Sequence, residues 1–481
     1  MPSILGANSV SGYNISNSLR FNDDDSAALS ITPSSASTSR KKWTWSGWIK
    51  RGEVPTDDNN DYSRIFNVKA DGNNYIISGF LYSGGFNVTA REGNTEVLKF
   101  EPSRKFRDHS AWTHIVMAYD STLGTARNRF RVYFNGEEDT TALDTTPDQN
   151  TELVVLEDVI HNIGRDNHGT AYYYDGYMAD VYLIDGTQYA ASDFGETDDN
   201  GVWIPKNFAG SFGTNGFKLE FQQTGTSQNA SGIGADTSGN DNHLAVTNLA
   251  ATDVTTDTPT NNFMTMNPLF TNSRGAFAEG NLKVTTNVQG SVPYGQVEFG
   301  NFAVNKGKWY YEAKVTSVGS GGSLGLGWNE RAESGGYTNG HNNGGSAGNV
   351  RYNSGGVLGI GSSHSQSTGV DSFTDNDIIG FALDLDNNKV YAYKNGNPQD
   401  DPTPDPDDND GRAIVSAYNN YWTPWMSKDD TNHNATVEFN FGNSSFSISS
   451  GNADGNGYGN FEYAVPSGYY SLCTKNLAEF G

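Results

Sequence analysis

Trp43-Thr44-Trp45-Ser46-Gly47-Trp48-Ile49-Lys50 sets tryptophans among small and polar side chains. In an extended chain, residues two apart share a face, so Trp43 and Trp45 lie on one side of it. The stretch reads as a β-strand with one face in a core. The same alternation extends outward from it. Ser18–Phe21 and Ala28–Ile31 precede it; Tyr75-Ile76-Ile77, Trp112–Tyr119, Phe130–Phe134 and Asp175–Ile184 follow. Phe130–Phe134 runs into Asn135-Gly136, a pair that accepts the positive φ of a tight hairpin.

Asp71-Gly72, Asp175-Gly176, Asp185-Gly186, Asn395-Gly396 and Asp454-Gly455 repeat that turn chemistry. Long runs at helical spacing are absent, and the 56 glycines have no collagen-like period. The fold class expected is all-β. With 35% apolar and 18% charged residues, the chain matches neither a membrane protein nor a charge-rich disordered one. Aromatic residues, at 12%, supply the buried area that the aliphatics do not.

A second strand-rich block begins near Phe270. It includes Gly295–Phe299, Lys308–Val315, Ser323–Trp328, Asp377–Asp386, Lys389–Gly396 and Val437–Gly442. Between the blocks, Gly216–Phe221 is a strand that can return to the first. Residues 223–262 are rich in Gly, Asn, Thr and Asp, and 332–350 read as a long loop. The domains expected are therefore 1–222, a connector at 223–268, and 269–481. Each domain is an antiparallel jelly-roll-like β-sandwich.

The net charge of −25 repels phosphate backbones and anionic lipid, which argues against nucleic acid as a partner. Cys473 is the only cysteine, so no intrachain disulfide is possible. The start, Met1–Gly6, shows neither a secretion signal nor a membrane span. Asn87 and Asn434 open Asn-X-Ser/Thr triplets, read as accidental in so polar a chain.

Trp43–Lys50, Trp112–Asp120, Arg131–Gly136 and Asp175–Asp185 together resemble, in order and spacing, a laminin-G-type member of the concanavalin A-like lectin/glucanase superfamily. Lys308–Val315, Asp377–Asp386 with Tyr391–Gly396, Val437–Gly442 and Pro466–Tyr469 are similar to a SPRY domain. Both resemblances imply jelly-roll-like sandwiches with ligand sites on rim loops or a concave face. The tandem, with its Leu472-Cys473-Thr474 ending, also resembles virion proteins of tailed, notably marine, phages.

Glucanases of that superfamily carry Glu-x-Asp-x-x-Glu on one strand, which sets an acid and a nucleophile on one face. The sequence has no such set. Glu298, Glu312 and Glu438 stand singly and read as solvated, and Asp180 and Asp185 form no pair. Gly-x-Ser-x-Gly occurs at Gly321–Gly325 and Gly344–Gly348, but a nucleophile elbow needs a strand before it and a helix after it. P-loop and His-Glu-x-x-His motifs are absent. No catalytic residue is assigned and the chain is expected not to be an enzyme.

Loop aromatics can stack on sugar rings, and the candidates are Tyr172, Tyr173, Tyr174, Trp422 and Trp425. Trp43, Trp45, Trp112 and Trp309 are assigned to cores. The stretch Asp400–Gly411 offers Asp405, Asp407, Asp408 and Asp410 as calcium ligands, although it is not in EF-hand register. Its other reading is a solvated acidic insertion. No cofactor other than this calcium is expected.

The expected function is a non-catalytic phage virion surface protein: a tail fibre, head fibre or decoration component. It would bind host-surface glycan or neighbouring virion proteins, assemble in the host cytoplasm, act extracellularly and form a homo-oligomer. The alternatives are a purely structural assembly protein, a polysaccharide-degrading glycoside hydrolase and an intracellular peptide-binding SPRY adaptor.

Overall fold

A computed structural model describes residues 12–52, 62–81, 83–166, 172–269, 275–286, 296–330, 348–361, 370–400, 404–414, 416, 420–428 and 433–481. Most of the expected loop at 332–350, and the Gly344–Gly348 match, lie outside them. The chain divides into two compact units, one within Ala7–Thr260 and one within Asn261–Gly481. Both are all-β and overwhelmingly antiparallel, as the alternation requires.

In the first unit one sheet runs in the order Glu137–Glu138, Phe130–Phe134, Thr113–Asp120, Lys42–Arg51, Gly176–Asp185, Ser18–Phe21 and Val254–Thr255. Phe217–Leu219 also pairs with Gly176–Asp185, so the late strand does return to the first sandwich. The other sheet runs Leu143–Thr145, Thr95–Phe100, Phe86–Glu92, Tyr75–Leu81, Tyr62–Lys69, His161–Ile163, Ala28–Ile31 and Ala245–Thr247. Trp43 and Trp45 enter one core with Phe66, Val88, Phe100, Met117 and Leu183. Asn135 and Gly136 both take positive φ, 48° and 82°, the backbone that a two-residue hairpin between twisted strands needs.

Residues 223–268 read as a polar connector in the sequence, but the structure builds them into the units. Ala245–Thr247 pairs with Ala28–Ile31, and Ile233, Leu244 and Leu249 join the first core. Met264 and Met266 join the second. A few inward side chains suffice to seat an edge strand, and among polar neighbours they leave no periodic signal.

In the second unit one sheet runs Ala276–Ala278, Lys283–Thr285, Thr436–Asn440, Lys308–Ser317, Ile378–Asp384, Lys389–Lys394 and Asn397–Pro398. Arg412–Ala413 adds to its edge, and Tyr470–Ser471 pairs in parallel with Lys308–Ser317. The other sheet runs Gln296–Phe299, Trp422–Lys428, Leu324–Glu330, Asn349–Asn353 and Val357–Ile360. Trp309, Tyr311, Leu326, Trp328, Phe381 and Phe439 fill the space between them. Asn395-Gly396 closes a hairpin with φ of 50° and 77°. The helix Thr474–Phe480 ends the chain, and no helix among the described residues is long and apolar enough to cross a membrane.

Candidate functional site

The five aromatic candidates part company in the structure. Trp422 and Trp425 lie on the strand Trp422–Lys428, not on a loop, and both are buried. Trp422 packs in the second core, while Trp425 stacks with Phe299 and donates its indole N–H to the Val350 carbonyl (3.0 Å). Tyr174 is also sealed, with its hydroxyl on the Lys50 carbonyl (2.7 Å). None of these three rings offers a face to a sugar. Pro424 and the polar Thr423 and Ser427 make the strand look like a loop in sequence. Tyr172 and Tyr173 remain half-exposed.

Tyr172 borders a polar cluster on the outer face of the sheet that contains Tyr62–Lys69. Phe66 and Val68 point into the core, so Asn67 points away from it. His161 turns toward Phe66 and Ile163 joins the core, so Asn162 also points out. Asn162 stands beside Asn67 in the pairing register. Arg64 and Asn87 flank Gly79 across the sheet. A Cβ at Gly79 would lie 2.2 Å from the Ser63 carbonyl oxygen, so only glycine fits there. With no side chain between them, Arg64 Nη1 reaches Asn87 Oδ1 at 2.8 Å.

Asp166 closes the cluster. Its backbone N–H bonds the Tyr172 carbonyl (2.8 Å), and its carboxylate accepts from Asn67 Nδ2 (3.1 Å) and sits 3.7 Å from Arg64 Nε. The Arg64 guanidinium lies 4.3 Å from the centre of the Tyr62 ring, which meets Tyr172 edge-on. Burial pulls the guanidinium down from its ordinary value, and Asp166 opposes that pull. Asn67 and Asn162 are fully buried. Asn67 Oδ1, and both Oδ1 and Nδ2 of Asn162, have no hydrogen-bond partner among the described residues. Each unmet buried group costs roughly 1–3 kcal/mol, which makes such a cluster a candidate for meeting a polar ligand.

Sequence reasoning missed Arg64, Asn67, Asn162 and Asp166, and saw Asn87 only as a triplet. The available signal was a charged residue and an amide alternating with Ile65, Phe66 and Val68 in one short strand.

The buried acids elsewhere are tied down. Glu298 and Glu312, expected to be solvated, are completely buried. Glu312 accepts the backbone N–H groups of Glu462 and Tyr463 (2.9 and 2.8 Å), the Asn440 amide and the Tyr310 hydroxyl. Burial pushes its carboxyl up to about 7. Asp180 takes an unusual φ of 50° at a bulge and accepts from the Tyr13 and Tyr182 hydroxyls, with Lys218 at 3.7 Å. Asp185 accepts the N–H groups of Thr38 and Asn215. Gly321–Gly325 leads into the strand Leu324–Glu330, the reverse of a strand–turn–helix elbow.

Asp405, Asp407, Asp408 and Asp410 are exposed. Their loop bonds within itself: Asp407 N–H to Asp405 Oδ1 (2.9 Å) and Asp405 N–H to Asp410 Oδ1 (2.7 Å). Among the described residues, no group of three or more His, Cys, Asp or Glu is placed to hold a metal ion.

Residues 23–192 match the family model of the concanavalin A-like lectin/glucanases superfamily, laminin-G type, and residues 308–420 match that of the SPRY domain. No curated protein matches the chain. Among solved structures, the chain is similar to the SPRY domain of human HERC1 (16% identity; 33% of this chain and 87% of that one; TM-score 0.25). It is also similar to the native heptameric SAP-like pentraxin from Limulus polyphemus (14%; 37% and 80%; 0.26). A third is the Ruminococcus gnavus IT-sialidase CBM40 bound to α2,3-sialyllactose (17%; 29% and 72%; 0.22). The chain thus carries, in tandem, a concanavalin A-like laminin-G-type domain and a SPRY domain.

Proposed function

We propose that the chain is a non-catalytic binding protein whose first unit takes up glycan at the Arg64–Asn162 cluster. The observation that carries this reading is Asn162, buried with both amide atoms unmatched beside Asn67, Arg64, Asp166 and Tyr172. An amide offers one donor and one acceptor side by side, which suits adjacent sugar hydroxyls, and a guanidinium and a carboxylate extend the same pattern. Tyr172 adds a half-exposed ring at the border. Such a site binds weakly in single copy, and many copies on one particle add avidity.

The wider setting proposed is the surface of a phage particle, as a tail fibre, head fibre or decoration component that is homo-oligomeric and acts outside the host. The strongly acidic charge and the tandem of two adhesive-type domains support that setting. Mass spectrometry of purified particles is expected to detect this chain, and its absence from every particle fraction would rule the setting out.

For the site, the full chain is screened on a glycan array and the best glycan is then titrated. Asn162→Ala and Tyr172→Ala are expected to weaken binding at least tenfold without lowering the unfolding midpoint. A chain that retains no glycan, or variants that bind as the natural chain does, would refute the site. Release of reducing sugar from the bound glycan would favour the hydrolase alternative instead.

A further inference from the structure

The rim beside the Arg64–Asn162 cluster carries cations. Strand pairing sets Tyr62 opposite Leu81, Arg64 opposite Gly79, and Gly79 opposite Asn87. Phe80 and Phe86, which alternate with these residues, point into the core, so Leu81 and Gly85 continue the outer face past Gly79 and Asn87. The Leu81 N–H bonds the Gly85 carbonyl (2.9 Å) and closes the hairpin. The row Tyr62, Leu81, Gly85 thus lies next to the row Arg64, Gly79, Asn87, about 7 Å away along the strands. Lys105 reaches the end of this outer row. A Cβ at Gly85 would touch Lys105 Nζ at 3.3 Å and Ser83 Oγ at 3.4 Å, so glycine lets the ammonium lie flat on the hairpin.

The loop that brings Lys105 there is Arg104-Lys105-Phe106-Arg107. Phe106 anchors it: its ring packs among Phe80, Phe86 and Phe134, and its N–H bonds the Gly84 carbonyl (2.7 Å). The three cations around that anchor are exposed. Arg104 pairs with Glu137 (2.9 Å), and the Asp108 carboxylate accepts from Ser110. Lys105 donates to Ser83 Oγ (3.2 Å) and Arg107 rests its stem against Gly84. Among the described residues, neither forms an ion pair. Other cations of this unit do find carboxylates: Arg40, Lys41, Lys42, Lys99 and Arg131 each sit beside one. In a chain with 56 acidic and 31 basic side chains, a cation goes unpaired for no want of partners.

We propose that Lys105, Arg107 and Ser83 take an anionic group of the glycan, a carboxylate or a sulfate, so that the first unit selects acidic over neutral glycans. The class of ligand rests on the glycan reading above. Lys105 supplies a point charge and Arg107 a planar fork of donors that matches either anion. The Ser83 oxygen accepts from Lys105 and keeps its own O–H to donate. Arg64 does not serve this purpose, because Asp166 and Asn87 already hold it inside the cluster. The chain's distant acids are screened beyond about 8 Å at physiological salt, whereas contacts at the rim are closer than that.

The test titrates the full chain by calorimetry with two matched pairs of probes: tetragalacturonate with its methyl ester, and dextran sulfate with dextran. Within a pair the sugar is the same and the charge differs. In one pair or both, the charged member is expected to bind at least tenfold more tightly, and the gap should shrink as salt is raised. The exposed double replacement Lys105→Gln, Arg107→Gln is expected to close the gap with the unfolding midpoint unchanged. Asn162→Ala is expected to weaken the charged member as well. Equal binding within both pairs, or a gap that survives the double replacement, overturns the rim proposal and leaves the Arg64–Asn162 cluster standing. A gap that the double replacement closes, with affinity untouched by Asn162→Ala, supports the rim and removes the cluster. Failure of all four probes to bind overturns the rim proposal, and the glycan array then decides the cluster on its own.

Discussion

Lys50 Nζ lies 2.7 Å from Asp257 Oδ2, with both side chains sealed from solvent. The other oxygen of Asp257 accepts the Trp112 indole N–H at 3.1 Å. This pair pins the end of a polar stretch to the strand whose tryptophans announce the fold. Breaking a buried pair on one side leaves a charge without its counter-charge. Asp257→Asn is expected to destabilise the first unit by about 3–5 kcal/mol. Replacing both partners with apolar residues, Lys50→Met with Asp257→Leu, is expected to recover part of that loss. Chemical denaturation of the three chains measures both effects.

Trp422 and Trp425 are core residues, so their removal is expected to act on stability. Each change to alanine should destabilise the second unit by roughly 3–5 kcal/mol, the range for deleting a large buried aromatic. Neither should alter glycan binding at the first unit while the protein stays folded. Denaturation midpoints paired with glycan titrations distinguish this outcome from a direct role in binding.

Three imidazoles of the first unit are held neutral. Burial pulls His114 down to about 3 and His109 and His161 to about 4. Trp203 donates to His114 Nδ1 at 3.1 Å, so the proton resides on Nε2, which faces Ser46 Oγ at 2.9 Å. The unfolded chain takes up protons near pH 6.5, which the folded imidazoles refuse. Their stabilising contribution is therefore full above pH 6.5 and is lost as the pH falls toward 4 and then 3. Each loses on the order of 2 kcal/mol between pH 6.5 and 5. Asp180, pushed up to about 6 by burial, works in the opposite sense and offsets part of it. The His114 ring resonances should stay flat from pH 8 to 4.5 by NMR; titration near 6.5 would contradict this assignment.

Glu312 sets the reverse trend in the second unit. With its carboxyl pushed up to about 7 from an ordinary 4.5, the folded state holds a proton that the unfolded chain releases. Its contribution is full below pH 4.5 and is lost as the pH rises through 7, by on the order of 3 kcal/mol. Asp377, Asp384 and Glu462, all held below their ordinary values, act only at lower pH and leave this window to Glu312. Unfolding of the second unit between pH 5 and 7 should show this slope, and Glu312→Gln should flatten it.

The alternation in Trp43–Lys50 and Lys308–Val315 told by itself that these stretches are strands, because the two-residue period is a local property of an extended chain; that both of their faces are covered, Lys50 and Glu312 included, it did not tell. The hairpins at Asn135-Gly136 and Asn395-Gly396 were equally legible, since their positive φ is a property of the turn residues. The order of the strands was not. Arg64 meets Asn87, and Asn162 meets Asn67, only because Tyr62–Lys69 lies between Tyr75–Leu81 and His161–Ile163. That neighbourhood joins residues 99 positions apart in the Asn67–Asp166 bond. The burial of Trp422 and Trp425 and the docking of residues 223–260 were likewise decided by tertiary packing. A local period tells which face a residue occupies, but not what stands opposite that face.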